Sequence, residues 1–184
     1  QSACIAPEKI GVWTYPYPLL STLKLDVPED KKVLPESEIK KMKDGEQTAF
    51  NMITSMMGLM YMSGKLQHAD NKNTRLIKDS IKIYKDYRKK LQSANPVFVL
   101  PMKNVTDKTY NAYGLEFADK KEMILAVWNY EADKFDINLE KYGYTSAELI
   151  YPVELSGVKY KFNGKKMSLK FSKNYSARLF KLTK

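Results

Sequence analysis

Apolar residues recur with two different periods along the chain, and the period changes near residues 93–96. Before that point, segments rich in Met, Ile and Tyr repeat at three- and four-residue spacing, which is typical of helices with one buried face. After it, short β-branched and aromatic runs alternate with turns rich in Asn, Asp, Gly and Ser. The pattern predicts an α/β domain over residues 1–94 and an all-β domain over residues 95–184.

The stretch MITSMMGLMYMSGKL, residues 52–66, holds five of the nine methionines. It is too short and too interrupted by polar residues for a membrane span, which needs about 20 apolar residues. The helical spacing of its methionines favours a packed core over a soft-metal site. We expect Asp44 to cap a helix from Gly45 to Met57 and Gly58 to end it. LMYM then has the pattern of a strand buried on both faces of a parallel sheet.

A second helix is predicted from Thr74 to Gln92, capped by Asn73 or by Thr74 itself. One side of it is apolar and the other is rich in Lys and Arg, which is typical of a solvated helix face. Upstream, KIGVWTYPYPLL is a further β-prone run. The order strand, helix, strand, helix is that of an α/β fold.

The second half predicts an antiparallel β-sandwich with Greek-key links. Its regularly spaced β-rich runs are separated by turn residues, and Asn163-Gly164 is the signature of a tight hairpin. The runs are PVFVLP, NAYGLEFA, EMILAVWNY, KFDINL, SAELIYPV, YKFNGKK, MSLKFS and SARLFKL.

Composition narrows the possible functions. The net charge of +10 comes mostly from lysines that are scattered along the sequence, so nucleic-acid binding is not favoured. One cysteine, Cys4, and one histidine, His68, provide neither an internal disulfide nor a metal-ligand set. We therefore expect no metal, no other cofactor and no membrane contact.

Four segments together resemble the end of α-galactosidase-like glycoside hydrolases, families 36 and 27 and their clan. They are PEKIGVW, EQTAFNMITSMMGLMYMSGKL, RLIKDSIKIYKDYRKKLQSANPVFVLP and YGLEFADKKEMILAVWNY, in that order. The helix carrying Tyr84, Tyr87 and Arg88 is the most specific piece. The resemblance implies a partial (β/α)8 TIM barrel, namely its last two β/α units, followed by the all-β antiparallel sandwich.

The resemblance also implies hydrolysis of terminal α-linked galactose, or a related sugar, with retention by two carboxylates. In the family these lie on barrel strands upstream of anything matching this chain, so no catalytic residue is expected here, and the chain alone should be inactive. Its partners would be the missing N-terminal part of the barrel and an α-galactoside-like carbohydrate. A secreted or periplasmic location is favoured over a cytoplasmic one. Carboxylates in the loop over residues 25–44 are weaker candidates for catalysis, because their mixed charge is typical of a solvated loop.

Sugar contacts are expected where the two predicted strands end, because pyranose rings stack on aromatic side chains and need polar partners. The predicted substrate-binding residues are Trp13, Tyr15, Met62, Ser63, Gly64 and Lys65. Packing for Trp13 and a simple turn at Ser63-Gly64 are the competing interpretations. A non-catalytic carbohydrate-binding or cell-surface sandwich and a basic interaction module remain alternatives for the whole chain. If barrel strands are missing, the exposed strand edges predict self-association.

Overall fold

The computed structural model describes residues 6–16, 43–64, 66–101 and 106–184. Its first half contains β1 (Gly11–Thr14), α1 (Glu46–Met56), β2 (Leu59–Met62) and α2 (Asn71–Tyr87). Short 3-10 helices lie at Pro7–Lys9, Leu66–His68 and Arg88–Ser93. The predicted alternation of strand and helix is therefore confirmed.

β1 and β2 form a two-stranded parallel sheet in which Gly11 pairs with Leu59 and Thr14 with Met62. Gly58 lies in the turn between α1 and β2, and a Cβ atom there would come within 2.6 Å of the Ile10 carbonyl oxygen. Only glycine allows the two backbones to approach this closely. The predicted end of the helix at Gly58 is thus confirmed.

The prediction that LMYM is buried on both faces is wrong for the described structure. Leu59 and Met60 are half-buried, and Tyr61 and Met62 are exposed. The helices cover one face of the two-stranded sheet, and no described element covers the other. Within the described ranges there is no closed barrel, so a partial barrel stays a proposal.

Both helices begin close to their predicted starts, with different caps. Gly45 adopts the left-handed conformation at φ 83°, while the Asp44 carboxylate accepts a hydrogen bond from the Glu46 amide at 2.9 Å. α2 begins at Asn71, earlier than predicted, because Asp70 accepts from the Asn73 amide at 2.8 Å. It ends as an α-helix at Tyr87 and continues as a 3-10 helix.

The second half forms two antiparallel sheets, as predicted. The strands are β3 (Asn95–Val97), β4 (Tyr110–Glu116), β5 (Glu122–Asn129), β6 (Lys134–Asn138), β7 (Ser146–Tyr151), β8 (Val158–Phe162), β9 (Lys166–Phe171) and β10 (Ser176–Thr183). The five-stranded sheet has the order β3-β4-β5-β10-β7 and the three-stranded sheet the order β6-β9-β8. β10 returns after four intervening strands to pair with β5, a non-sequential neighbour of the kind that Greek-key links produce.

The five-stranded sheet is the central layer of the molecule. On β5, alternate side chains enter two different cores. Ile124, Ala126 and Trp128 pack with the helices. Met123, Leu125 and Val127 pack with the three-stranded sheet. Burial on both faces explains why this antiparallel strand is apolar from Met123 to Trp128.

Candidate functional site

The open face of the β1–β2 sheet carries two exposed aromatic side chains, those of Trp13 and Tyr61. Trp13 and Tyr61 are paired across the two strands, and paired residues of parallel strands point to the same face. Their ring centroids are 5.8 Å apart with an interplanar angle of 34°. Trp13 is 70% exposed and Tyr61 46%. The two rings form an apolar surface with no cover among the described residues.

Gly11 allows this aromatic pair to lie flat on the sheet. A Cβ atom at Gly11 would come within 2.5 Å of the Tyr61 ring. The ring therefore lies over the glycine, which is two residues before Trp13 on the same strand.

Tyr15 lies just beyond β1 and is held by α1. The Asn51 side-chain amide donates to the Tyr15 carbonyl oxygen at 2.9 Å. One residue earlier, the Thr14 hydroxyl donates to the Asn51 carbonyl oxygen at 3.1 Å. These two bonds fix the carboxyl end of β1 against the middle of α1, so the half-exposed Tyr15 ring stands at a defined edge of the sheet.

The predicted residues after β2 lie at the same end of the sheet. Met62 is opposite Thr14, and the Ser63 amide donates to the Thr14 carbonyl oxygen at 2.9 Å. Gly64 has a φ of 101°, which requires glycine. Lys65 lies outside the described residues. The structure therefore brings the other five predicted sugar-contact residues to one end of the β1–β2 sheet.

A cleft of about 460 Å³ extends from Asn51 across the exposed side of α1. Its far wall is the turn before β10, where Tyr175 has a φ of 49° and its hydroxyl donates to Glu131 at 3.0 Å. Phe50 and Tyr175 line this cleft. The Tyr130 ring connects them, because it contacts both Phe50 and Tyr175 edge-on. Planar amides and aromatic rings side by side are groups that suit a sugar.

Two tyrosines of α2 hold the end of α1 and the start of β2 in place. The Tyr87 hydroxyl donates to the Met56 carbonyl oxygen at 2.7 Å, and the Tyr84 hydroxyl donates to the Gly58 carbonyl oxygen at 2.9 Å. These carbonyl groups have no partner within α1 itself, as is usual at a helix end. Burial raises the pKa of Tyr87 well above its usual range, so the hydroxyl remains a donor.

A buried ion pair joins α1 to the sandwich. The Arg178 guanidinium binds both carboxylate oxygens of Glu46, at 2.8 and 3.0 Å, and donates to the carbonyl oxygens of Ala177, Leu155 and Ser156. The Arg178 side chain is fully buried and that of Glu46 is 6% exposed. The pair fixes the first turn of α1, and through Asn51 the same helix positions the end of β1.

The described residues contain no group of three His, Cys, Asp or Glu side chains that could hold a metal ion. Within the same ranges no helix has the length and hydrophobicity needed to cross a membrane. Most of the acidic loop over residues 25–44 lies outside the described part of the chain, which resumes at Lys43.

Two residues of this region were not predicted from the sequence, Tyr61 and Asn51. Strand alternation does contain a signal for Tyr61: once the β1–β2 register is known, Tyr61 must share a face with Trp13. Asn51 had no such signal, because its partner lies 36 residues away in the sequence.

No family model and no curated protein matches the chain. Solved structures do resemble it. A GH36 α-galactosidase from Geobacillus stearothermophilus, in complex with raffinose, superposes with a TM-score of 0.51 and 14% identity over 72% of this chain. A GH27 β-L-arabinopyranosidase from the same organism superposes with a TM-score of 0.50 and 11% identity over 76% of this chain.

The match covers 19% of the galactosidase chain and 30% of the arabinopyranosidase chain, so this chain spans less than a third of either enzyme. At these identities the comparison establishes a shared fold. The chain thus has a fold consistent with the C-terminal portion of α-galactosidase-like glycoside hydrolases, as the sequence resemblance predicted.

Proposed function

We propose that the chain supplies the C-terminal part of a retaining glycoside hydrolase of the α-galactosidase type. Residues 1–94 would contribute the last two β/α units of a (β/α)8 barrel, and residues 95–184 a C-terminal sandwich. The main support for the proposal is the difference between the two faces of the β1–β2 sheet. Helices cover one face, and Trp13 and Tyr61 project from the other. Barrel strands show the same division, with helices outside and side chains inside.

The end of this open face is the proposed part of the sugar pocket. Active sites of such barrels lie at the carboxyl ends of the strands, where the loops begin. Trp13 and Tyr61 offer apolar rings to the C–H face of a pyranose, and the polar rim supplies hydrogen-bond partners. The proposed rim comprises Tyr15, Ser63, Gly64 and Lys65, and Met62 is proposed as an apolar contact at the same end of the sheet. The substrate class is an α-galactoside or a closely related pyranoside.

Catalysis in this proposal belongs to residues outside the chain. Retention requires two carboxyl groups about 5 Å apart, one acting as nucleophile and the other as acid and then base. Other strands of the same barrel would carry them. The chain alone would therefore bind part of the sugar without cleaving the glycosidic bond.

The reading frame upstream of residue 1 in the gene tests this proposal. We expect it to encode further strand–helix repeats, with an aspartate at the ends of two of the strands. A start codon immediately upstream, with no such repeats, would contradict the hydrolase proposal and favour a non-catalytic carbohydrate-binding sandwich.

A further inference from the structure

The three-stranded sheet has one apolar and one cationic face. Its inner face contributes Phe135, Leu169 and Phe171 to the core between the two sheets. Its outer face is polar, and its side chains come from alternate positions of all three strands. The basic residues of this outer face are Lys134 on β6, Lys159 and Lys161 on β8, and Lys166 and Lys170 on β9.

The register places three of these lysines in one row across the sheet. Lys170 pairs with Lys134 on one side and with Lys159 on the other. Neighbouring strands lie about 4.8 Å apart, so the backbone positions of the three lysines follow one another at roughly that interval. Like charges directly opposite each other destabilise a sheet. The row is therefore an arrangement that folding alone does not favour.

Few carboxylates neutralise this face. Lys166 forms an ion pair with Asp136 at 2.9 Å, and Lys170 lies 3.9 Å from Asp133. Among the described residues no carboxylate lies within ion-pair distance of Lys134, Lys159 or Lys161. Hydrogen bonding from Ser168 and Lys166 lowers the pKa of Asp136, an effect that the nearby charge of Lys134 reinforces. The face thus keeps an excess of positive charge at neutral pH.

The chemistry of the face indicates which anion it fits. Its aromatic residues point inward, so the outer face offers no ring on which a nucleic-acid base could stack. It also lacks the exposed apolar side chains that insert into a membrane surface. A row of lysines on adjacent strands complements a linear polymer with regularly repeated anionic groups.

We propose that the outer face of the three-stranded sheet binds an acidic polysaccharide, with the Lys134–Lys170–Lys159 row as its centre. The polymer lies across the strands, and its carboxylate or sulfate groups contact successive ammonium groups. The contacts are solvent-exposed, so binding weakens as salt is added. This site is separate from the β1–β2 face and does not depend on the hydrolase proposal.

Binding of the 184-residue chain to polygalacturonate, measured by titration calorimetry at low salt and again at higher salt, tests the proposal. The test variant is the triple substitution Lys134→Gln, Lys159→Gln and Lys170→Gln. The control is Lys78→Gln, Lys82→Gln and Lys85→Gln on the exposed side of α2, which removes the same charge. Thermal melting verifies folding, and removing like-charge contacts should leave the row variant at least as stable as the parent.

The expected result is a loss of affinity of roughly ten- to a hundredfold in the row variant and less than about threefold in the control. Equal losses in both variants would overturn the proposal, because binding would then follow net charge alone. Absence of polygalacturonate binding by the parent chain would also overturn it. Tighter binding of an oligothymidylate or of anionic phosphatidylserine vesicles than of polygalacturonate would reassign the face to nucleic acid or membrane.

Discussion

Arg178 joins the sandwich to the first turn of α1 through a buried ion pair. Its fully buried guanidinium is paired with Glu46, so removing one partner leaves an uncompensated charge in the interior. We predict that Glu46→Gln lowers the free energy of unfolding by about 3 to 5 kcal/mol. The exposed Lys166–Asp136 pair provides a control, in which Asp136→Asn should cost much less stability, because water screens the pair. Urea denaturation measures both, and similar losses in the two variants would contradict this role of the buried pair.

The buried tyrosines predict a loss of stability in alkali. Burial raises the pKa values of Tyr87 and Tyr151, whereas the same groups ionise near pH 10 in the unfolded chain. Their contribution to the free energy of unfolding is therefore complete below about pH 10. Above that pH it is lost by about 1.4 kcal/mol per pH unit for each tyrosine. The substitution Tyr87→Phe removes one of these ionising groups, so the slope should become shallower by about 1.4 kcal/mol per pH unit. Urea midpoints between about pH 8 and 11 measure the slope, and identical slopes in the two proteins would exclude Tyr87 as a source.

At the scale of the elements, two glycines distinguish a collision with backbone atoms from a collision with a side chain. At Gly58 an added Cβ would meet the carbonyl oxygen of Ile10, which cannot move without shifting β1. At Gly11 it would meet the partly exposed Tyr61 ring, which can turn aside. We predict that Gly58→Ala costs about 1 to 3 kcal/mol and that Gly11→Ala costs less. Thermal melting of both variants measures the two losses of stability. A larger loss in Gly11→Ala than in Gly58→Ala would contradict the parallel register of β1 and β2.

Elements with a strong local pattern could be predicted from the sequence. All eight predicted β-rich runs of the second half contain strands, and Asn163-Gly164 does connect β8 and β9. The core side of α2 also follows its apolar spacing, with Leu76, Tyr84 and Tyr87 buried. These features depend on neighbours in sequence, which periodicity and turn residues report directly.

Features that depend on distant partners could not be predicted. Glu46 and Arg178 are 132 residues apart, and neither has a local pattern that marks it as buried. Trp128 on β5 is buried, with 9% of its surface exposed. Its indole nitrogen donates to Thr54 on α1 at 3.0 Å, so it packs under the helices. The sequence shows that a residue is apolar, whereas the layer that covers it is set by the tertiary fold.

At the scale of the molecule, three layers share two cores. The core between the helices and the five-stranded sheet draws residues from both predicted domains, including Met52 and Met56 from the methionine-rich stretch. Met52, Met56 and Met57 are therefore core residues, as predicted, whereas Met60 is half-buried and Met62 is exposed. The boundary between residues 94 and 95 remains a prediction, since the two parts pack closely against each other.

The uncovered face and edges of the β1–β2 sheet predict self-association. In the described structure these strands pair only with each other, so each leaves one edge free. Light scattering should give a mass above the 21.3 kDa monomer, falling towards it in a Trp13→Ser/Tyr61→Ser variant. Phe98→Ser, at an exposed aromatic residue after β3, is the control. A monodisperse monomer at all concentrations would contradict the prediction.

The central claim is that Trp13 and Tyr61 form part of a sugar pocket in a larger enzyme. The most direct measurement is hydrolysis of p-nitrophenyl α-D-galactopyranoside by the complete gene product and its Trp13→Ala, Tyr61→Ala and Phe98→Ala variants. The kcat/KM of Trp13→Ala and of Tyr61→Ala should fall about ten- to a hundredfold, because each loses one aromatic contact with the sugar. Phe98→Ala should retain the kcat/KM of the parent. Unchanged kcat/KM in Trp13→Ala, or an equal loss in Phe98→Ala, would contradict the claim.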